Sequence, residues 1–240
     1  SSTINTSTTV GLVTAIGTLA LKSALTVPNG GTGLSSTTAN QILYSSATST
    51  IAGLATANSG VLATSSSGVP SINTSIAIAS TGEITMPLQS AFLAYQPSTQ
   101  TNATGNGTGY TLGTTTDLTE VFDQNSDFDP TTGIFTAPVT GIYAFQANIR
   151  VGSISAAMTF GSVAFVTTLR TYFVADLNPA VIKTIAVAAD LYVFNVSILA
   201  NMTAGNTCTC VVSLSGGVGD TASINGDANG TTFFSGYLVC

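Results

Sequence analysis

The sequence predicts an all-β protein whose C-terminal part is a β-sandwich or jelly roll. Three observations carry this. From residue 91 onward, short runs rich in Val, Ile, Phe and Tyr recur between turn signals, a composition that suits a pleated, half-buried surface. No segment combines helix caps with a 3.6-residue apolar period over about ten residues. Charge and aromatic side chains are also spread so unevenly that the 240-residue chain divides in two.

Residues 1–82 carry a single charge, Lys22, whereas the other 13 of 14 charged residues lie beyond them. Only Tyr44 among 18 aromatic residues precedes residue 91. Aromatic side chains supply much of the buried area of a monomeric core, so the first third of the chain has little with which to build one. It is rich in Ser, Thr, Ala and Gly, with isolated Leu, Ile and Val among turn signals such as Pro28-Asn29-Gly30-Gly31 and Ser67-Gly68-Val69-Pro70. The segment Asn40-Gln41-Ile42-Leu43-Tyr44-Ser45-Ser46 lines up with the later segment Ser59-Gly60-Val61-Leu62-Ala63-Thr64-Ser65. Units this short do not bury an apolar face alone and need neighbours or symmetry mates to cover it. A flexible Ser/Thr tether is the other reading of this composition.

Residues 27–72 resemble the stalks of bacteriophage tail fibres and bacterial trimeric surface fibres. The resemblance rests on Gly30-Gly31-Thr32-Gly33, Ile42-Leu43-Tyr44-Ser45 and Gly68-Val69-Pro70-Ser71. It implies that residues 1–90 are an intertwined trimeric β-stalk preceding a head at residues 91–240.

In the head the expected strands include Ile134–Thr136, Gly141–Arg150, Val163–Leu169, Thr171–Val174, Ile182–Ala188, Leu191–Leu199, Cys208–Leu214 and Phe233–Val239. Within Gly141–Arg150, alternation places Tyr143, Phe145 and Ala147 on one face, with Ile142 and Ile149 breaking the pattern. The stretch from Asp123 to Phe145 resembles the globular head shared by complement component 1q and related trimeric proteins, which has the tumour-necrosis-factor jelly roll. Asp123, Phe128, Phe135, Gly141, Tyr143 and Phe145 satisfy the intervals of that family's pattern. Ala91-Phe92-Leu93-Ala94 is similar to the opening strand of such heads, and Phe234-Ser235-Gly236-Tyr237-Leu238 to the closing one. One departure is visible: Asp117 stands where the pattern has its first phenylalanine, with apolar Leu118 beside it. The resemblance implies a homotrimer in which these residues are scaffold. Gly141 and Gly236 would avoid collisions, Tyr143 and Phe145 would fill the interior, and Pro130 would end a strand.

Composition excludes several functions. Four basic residues against ten acidic ones, and a pI near 4.1, do not neutralise a phosphate backbone, so no nucleic-acid partner is expected. With no histidine there is no Ser-His-Asp or Cys-His catalysis and no His-ligated zinc. Hydrophobic residues make up 44% and mean hydropathy is +0.46, which argues against disorder. Val10 to Leu21 is shorter than the ~20 residues of a membrane span. Residues 180–202 carry Lys183 and Asp190 and read as two strands. Membrane insertion is therefore not expected, and a Ser-Ser start reads as a fragment or mature product of something longer.

Cys208 and Cys210 share one face of an extended segment; both are small buried hydrophobes, or one pairs with Cys240. Asp123, Asn125, Asp127 and Asp129 would share a face of an extended strand, which makes calcium near Asp123 and Asp127 a candidate. Turn chemistry is the competing reading, because Asp129 opens an Asp-Pro turn. The loops 216–220 and 225–230 offer Asn and Asp hydrogen bonds to a glycan, again against plain turn chemistry. No cofactor, metal ligand, catalytic residue or defined ligand-binding residue is assigned. The chain is expected to be a non-enzymatic, adhesin-like tip of an extracellular fibre, binding a surface glycan or envelope component by avidity. The alternatives are a virion tail-fibre or spike receptor-binding protein and a purely structural fibre.

Overall fold

The computed structural model describes residues 26–27, 31–179 and 191–240. The expected strand Ile182–Ala188 and the run Val10 to Leu21 lie outside them. The described residues are almost entirely β-strand, turn and bend, and they fall into two compact units that divide between Thr85 and Met86.

In the first unit β1 (Leu43–Ala47) and β2 (Thr50–Gly53) form a hairpin, and β3 (Gly60–Thr64), β4 (Pro70–Ile78) and β5 (Ile84–Thr85) form a three-stranded meander. The short sequence repeat is visible in the backbone. Its aligned members Asn40 and Ser59 both take a left-handed conformation, at φ 62° and 58°. Among the described residues of this unit Leu54 is the one buried hydrophobic side chain, while Ile42, Leu62, Val69 and Ile84 are each more than half exposed. The unit thus has the ladder hydrogen bonds of a sheet without an apolar core of its own.

The second unit is a two-sheet sandwich. Its strands are β6 (Ala91–Tyr95), β7 (Gln100–Thr104), β8 (Gly109–Thr111), β9 (Thr119–Gln124), β10 (Phe128–Asp129), β11 (Ile134–Thr136) and β12 (Gly141–Gly152). They continue with β13 (Phe160–Thr167), β14 (Thr171–Leu177), β15 (Tyr192–Met202), β16 (Thr207–Ser215), β17 (Ala222–Asn225) and β18 (Phe233–Leu238). The front sheet runs β7-β17-β12-β18-β6-β9, with β15 on the other edge of β12; the back sheet runs β10-β11-β16-β13-β14, with β8 beside β16. The principal strands cross between sheets as the chain advances: β6 front, β11 back, β12 front, β13 and β14 back, β15 front, β16 back, β18 front. This double Greek-key winding makes the unit a jelly roll.

Two long strands organise it. β12 pairs with β15 from Gly141↔Met202 to Val151↔Tyr192, and its other edge is shared by β18 and β17. β16 pairs with β13 along its length, with β11 and β8 sharing its second edge. The core lies between the sheets. Phe92 stacks on Phe128 at 4.3 Å and meets Phe234 edge-on at 5.0 Å, while Phe135 contacts both Tyr143 and Phe145 at 5.4 Å. Such pairs each contribute about 0.5–1.5 kcal/mol beyond their area burial. Tyr143 keeps its hydroxyl satisfied by donating to the Val139 carbonyl at 2.8 Å.

Two details of the expected register change. Ile149 does not break the alternation of β12: it is fully buried and extends the inward stripe Tyr143, Phe145, Ala147 to Val151. The reason is parity, since successive strand side chains alternate and all five numbers are odd. Near the signature's start, Leu118 is buried while Asp117 faces solvent, and the Leu118 amide donates to the Pro130 carbonyl at 2.9 Å. The apolar position is therefore filled one residue later than the family pattern places it.

Candidate functional site

The outer face of the front sheet is the most distinctive surface of the second unit. Strand registers place side chains on it in rows that run across the sheet. One row is Leu199, Ala144, Tyr237, Ala91 and Gln124; the next is Ser197, Gln146, Ser235, Leu93 and Phe122. A third is Asn195, Asn148, Phe233, Tyr95 and Thr119, and beyond it Val193 lies beside Arg150. These rows contain no carboxylate. Phe122 and Tyr237 are about half exposed at 49% and 47%, and Leu199 is 65% exposed.

The face is not flat. A groove of about 580 Å³ runs along it, bounded by Leu93, Tyr95, Phe122, Phe233 and Tyr237, with Gln146, Ser235 and Asn229 as polar side chains in its lining. A second depression of about 350 Å³ adjoins it, sharing Gln146 and Tyr237 and reaching Leu199. Together they form an apolar, uncharged surface with aromatic relief, unlike the solvent face of an ordinary antiparallel sheet.

This face escaped the sequence reading, although a signal for it was present. Ala91-Phe92-Leu93-Ala94-Tyr95 is an unbroken apolar run, and Phe233, Tyr237 and Leu238 supply apolar bulk to both sides of β18. Strands that read as continuous apolar runs are those buried on both faces. Here Phe92, Ala94, Phe234 and Gly236 face the core, and the alternate residues are left outside.

The acidic segment does not form the expected row of oxygen ligands. Asn125 and Ser126 both take left-handed conformations, so the chain turns between β9 and β10 rather than running extended. The Asp123 carboxylate accepts the backbone N–H groups of Asp127 and Phe128 at 3.2 and 3.1 Å, and Asp127 accepts the Asn125 amide. Asp129 accepts from the Thr131 and Thr132 hydroxyls and the Thr131 backbone, which holds its carboxyl below the usual range. The four side chains cap turns. Among the described residues no group of three His, Cys, Asp or Glu is placed to hold a metal ion.

The two candidate loops are held differently. Asp227 caps its own turn by accepting the Asn229 and Thr231 backbone N–H groups, whereas Asp220 accepts that of Asn106 and ties its loop to the one between β7 and β8. Asn229 and Gly230 nonetheless reach the end of the front-face groove. Val218 is fully exposed at the tip of the other loop.

The cysteines are free thiols. Cys208 and Cys210 point into the core from β16, as their spacing requires, and burial pushes both thiols up; Cys240 is exposed. Of the two readings of the cysteines, the structure has the buried-hydrophobe one for Cys208 and Cys210, and no bridge to Cys240 is present. β16 carries the two buried side chains between the sheets, whereas Cys240 lies at the surface by Gly141.

No family model matches the sequence, and no curated protein matches it. Solved structures with a similar backbone do exist. The globular domain of zebrafish complement 1qA protein is 16% identical, covers 63% of this chain and 98% of its own, and gives a TM-score of 0.40. Murine APRIL is 12% identical, covers 63% of this chain and 99% of its own, and gives 0.42. The strand order by itself makes the second unit a jelly roll. No helix among the described residues is long and apolar enough to cross a membrane.

Proposed function

We propose that the chain is the distal part of a homotrimeric extracellular fibre that binds a surface ligand without catalysis. Residues 1–90 form the stalk and residues 91–240 the head, on a cell or virion surface. The observation that carries this is the front-sheet face: apolar rows around a 580 Å³ groove, on a chain of 6% charged residues. A stable protein interface buries about 800 Å² per partner and is depleted of charge at its centre. A sheet face with aromatic relief and no carboxylate has that composition. The stalk supports the same reading, because its exposed Ile42, Leu62, Val69 and Ile84 call for cover by other copies.

In this reading three heads at fixed spacing present the loops 216–220 and 225–230 to a repetitive glycan or envelope polymer. Three weak contacts held together raise avidity by orders of magnitude without any new bond.

The first test is size-exclusion chromatography with light scattering on the full chain. The expected mass is three times that of the 24.0 kDa protomer. A species with the mass of a single protomer at micromolar concentration overturns the reading. The second test is binding of that trimer to envelope extracts and immobilised surface glycans. A blank result in both leaves only a structural fibre and removes the ligand-binding part.

A further inference from the structure

Among the described residues Arg150 is the one cation on an otherwise uncharged face, and no carboxylate there neutralises it. It lies on β12 between Val193 of β15 and Asn225 of β17, pointing outward by alternation with buried Ile149 and Val151. Its backbone N–H donates to the Thr232 hydroxyl at 3.0 Å, but its guanidinium makes no ion pair among the described residues. Arg170 differs: its guanidinium lies 5.7 Å over the Tyr172 ring. Arg150 is intermediate in exposure, and covering a guanidinium without an anion to meet it is costly.

The acidic side chains divide just as sharply. Asp123, Asp127, Asp129 and Asp227 accept hydrogen bonds within their own turns, and Asp220 accepts one from Asn106 of another loop. Asp117, Glu120 and Asp176 accept none among the described residues, and all three are exposed. Asp176 lies on β14, an end strand of the back sheet; Glu120 lies on β9, an end strand of the front sheet, and Asp117 two residues before β9. Sandwich edges of this kind are what one copy would present to the front face of the next.

We infer that Arg150 pairs with a carboxylate of a second copy of this chain, supplied by Asp117, Glu120 or Asp176 on a sandwich edge. The inference rests on the trimer reading and gives it an orientation: the association is face to edge, not face to face. An isologous contact would cover Arg150 of each copy with a face that offers no carboxylate, whereas a heterologous contact brings unlike surfaces together and can close as a ring. The apolar groove supplies most of the buried area, and the pair fixes which edge enters and at what height.

A charge-swap series on the full chain tests this. Arg150→Glu should raise the concentration at which the trimer dissociates at least tenfold in sedimentation equilibrium, with the far-ultraviolet spectrum unchanged. One of Asp117→Arg, Glu120→Arg or Asp176→Arg, added to Arg150→Glu, should restore it to within about threefold of the unsubstituted chain. Should Arg150→Glu fold poorly, Arg150→Met combined with Asp117→Asn, Glu120→Gln or Asp176→Asn replaces it. The true partner shows a non-additive loss in that cycle. Unchanged dissociation for both Arg150 variants overturns the pairing, as does the absence of rescue or coupling with all three acids. A monomeric unsubstituted chain would overturn the trimer reading as well, which separates the two failures.

Discussion

Gly236 leaves the space that the rings of Phe145 and Phe92 occupy. A Cβ at that position would stand 2.6 Å from Phe145 Cδ1 and 2.8 Å from Phe92 Cε1. Both rings are fully buried and locked into the aromatic cluster between the sheets. Gly236→Ala therefore forces a core ring or the β18 backbone to shift, a strain of about 1–3 kcal/mol. Thermal unfolding should show a Tm lower by several degrees, at roughly 2–4 °C per kcal/mol for a domain of this size. A Tm within one degree of the unsubstituted protein would contradict this packing. Gly141 is constrained as closely, since its added Cβ would meet the Cys240 carbonyl oxygen at 2.5 Å and Leu238 Cδ1 at 2.8 Å.

The Asp123 carboxylate closes the β9–β10 turn by accepting the Asp127 and Phe128 backbone N–H groups. Asp123→Ala removes an acceptor shared by two backbone N–H groups and should cost about 0.5–2 kcal/mol, the range for a lost capping side chain. Millimolar calcium should leave the Tm of the unsubstituted protein unchanged, because the neighbouring carboxylates already accept local donors. A calcium-dependent Tm rise that Asp123→Ala abolishes would reinstate the cation.

These outcomes separate what was legible in the sequence from what was not. Legible were the strands that alternate or sit beside strong turns. β11 matches Ile134–Thr136, β12 opens at Gly141, and Cys208 and Cys210 face the core together. Period-two patterning and turn residues are local signals, so one chain suffices to read them. In the acidic segment the turn reading is the one the structure has, because alternation counts only within a strand and the left-handed Asn125 and Ser126 end it. Gln96 was not legible either. It is fully buried, donates to the Ser98 and Ile224 carbonyls and accepts the Tyr110 hydroxyl, bonds set by residues up to 128 positions away. The front face lay in between: its apolar run was readable, but its meaning depended on which alternate residues the sandwich left outside.

Alkaline pH should destabilise the head. Burial raises the Cys208 and Cys210 thiols above their ordinary value of 9.0, and it raises Tyr143 and Tyr110 above 10.0. In the unfolded chain these groups lose protons near their ordinary values while the folded chain holds them. The unfolded state then binds fewer protons, so stability falls as pH rises, starting near pH 9 for the thiols. Tm measured from pH 7 to pH 10.5 should decline above about pH 9. The Cys208→Ala, Cys210→Ala double variant should start from a lower Tm at pH 7 and decline less steeply. Parallel curves for the two proteins would mean the thiols contribute nothing to the slope.

The last prediction concerns the groove. Phe122 stands opposite Leu93 in the register of β9 and β6, on the outer face and about half exposed. In an isolated jelly roll Phe122→Glu moves no core atom and should change stability by less than about 0.5 kcal/mol, as surface substitutions do. In a trimer that covers the groove, the same change places a carboxylate in an apolar interface centre, where an uncompensated charge costs several kcal/mol. The two cases diverge in one experiment. Light scattering should report the mass of a single protomer for Phe122→Glu against three protomers for the unsubstituted chain, with matching circular dichroism. Thr119→Glu, one row away on β9, places the same charge at an exposed position outside the groove lining. It should stay trimeric, which separates burial of the groove from simple charge repulsion between acidic chains. A Phe122→Glu protein that remains trimeric would move the interface off the front sheet altogether.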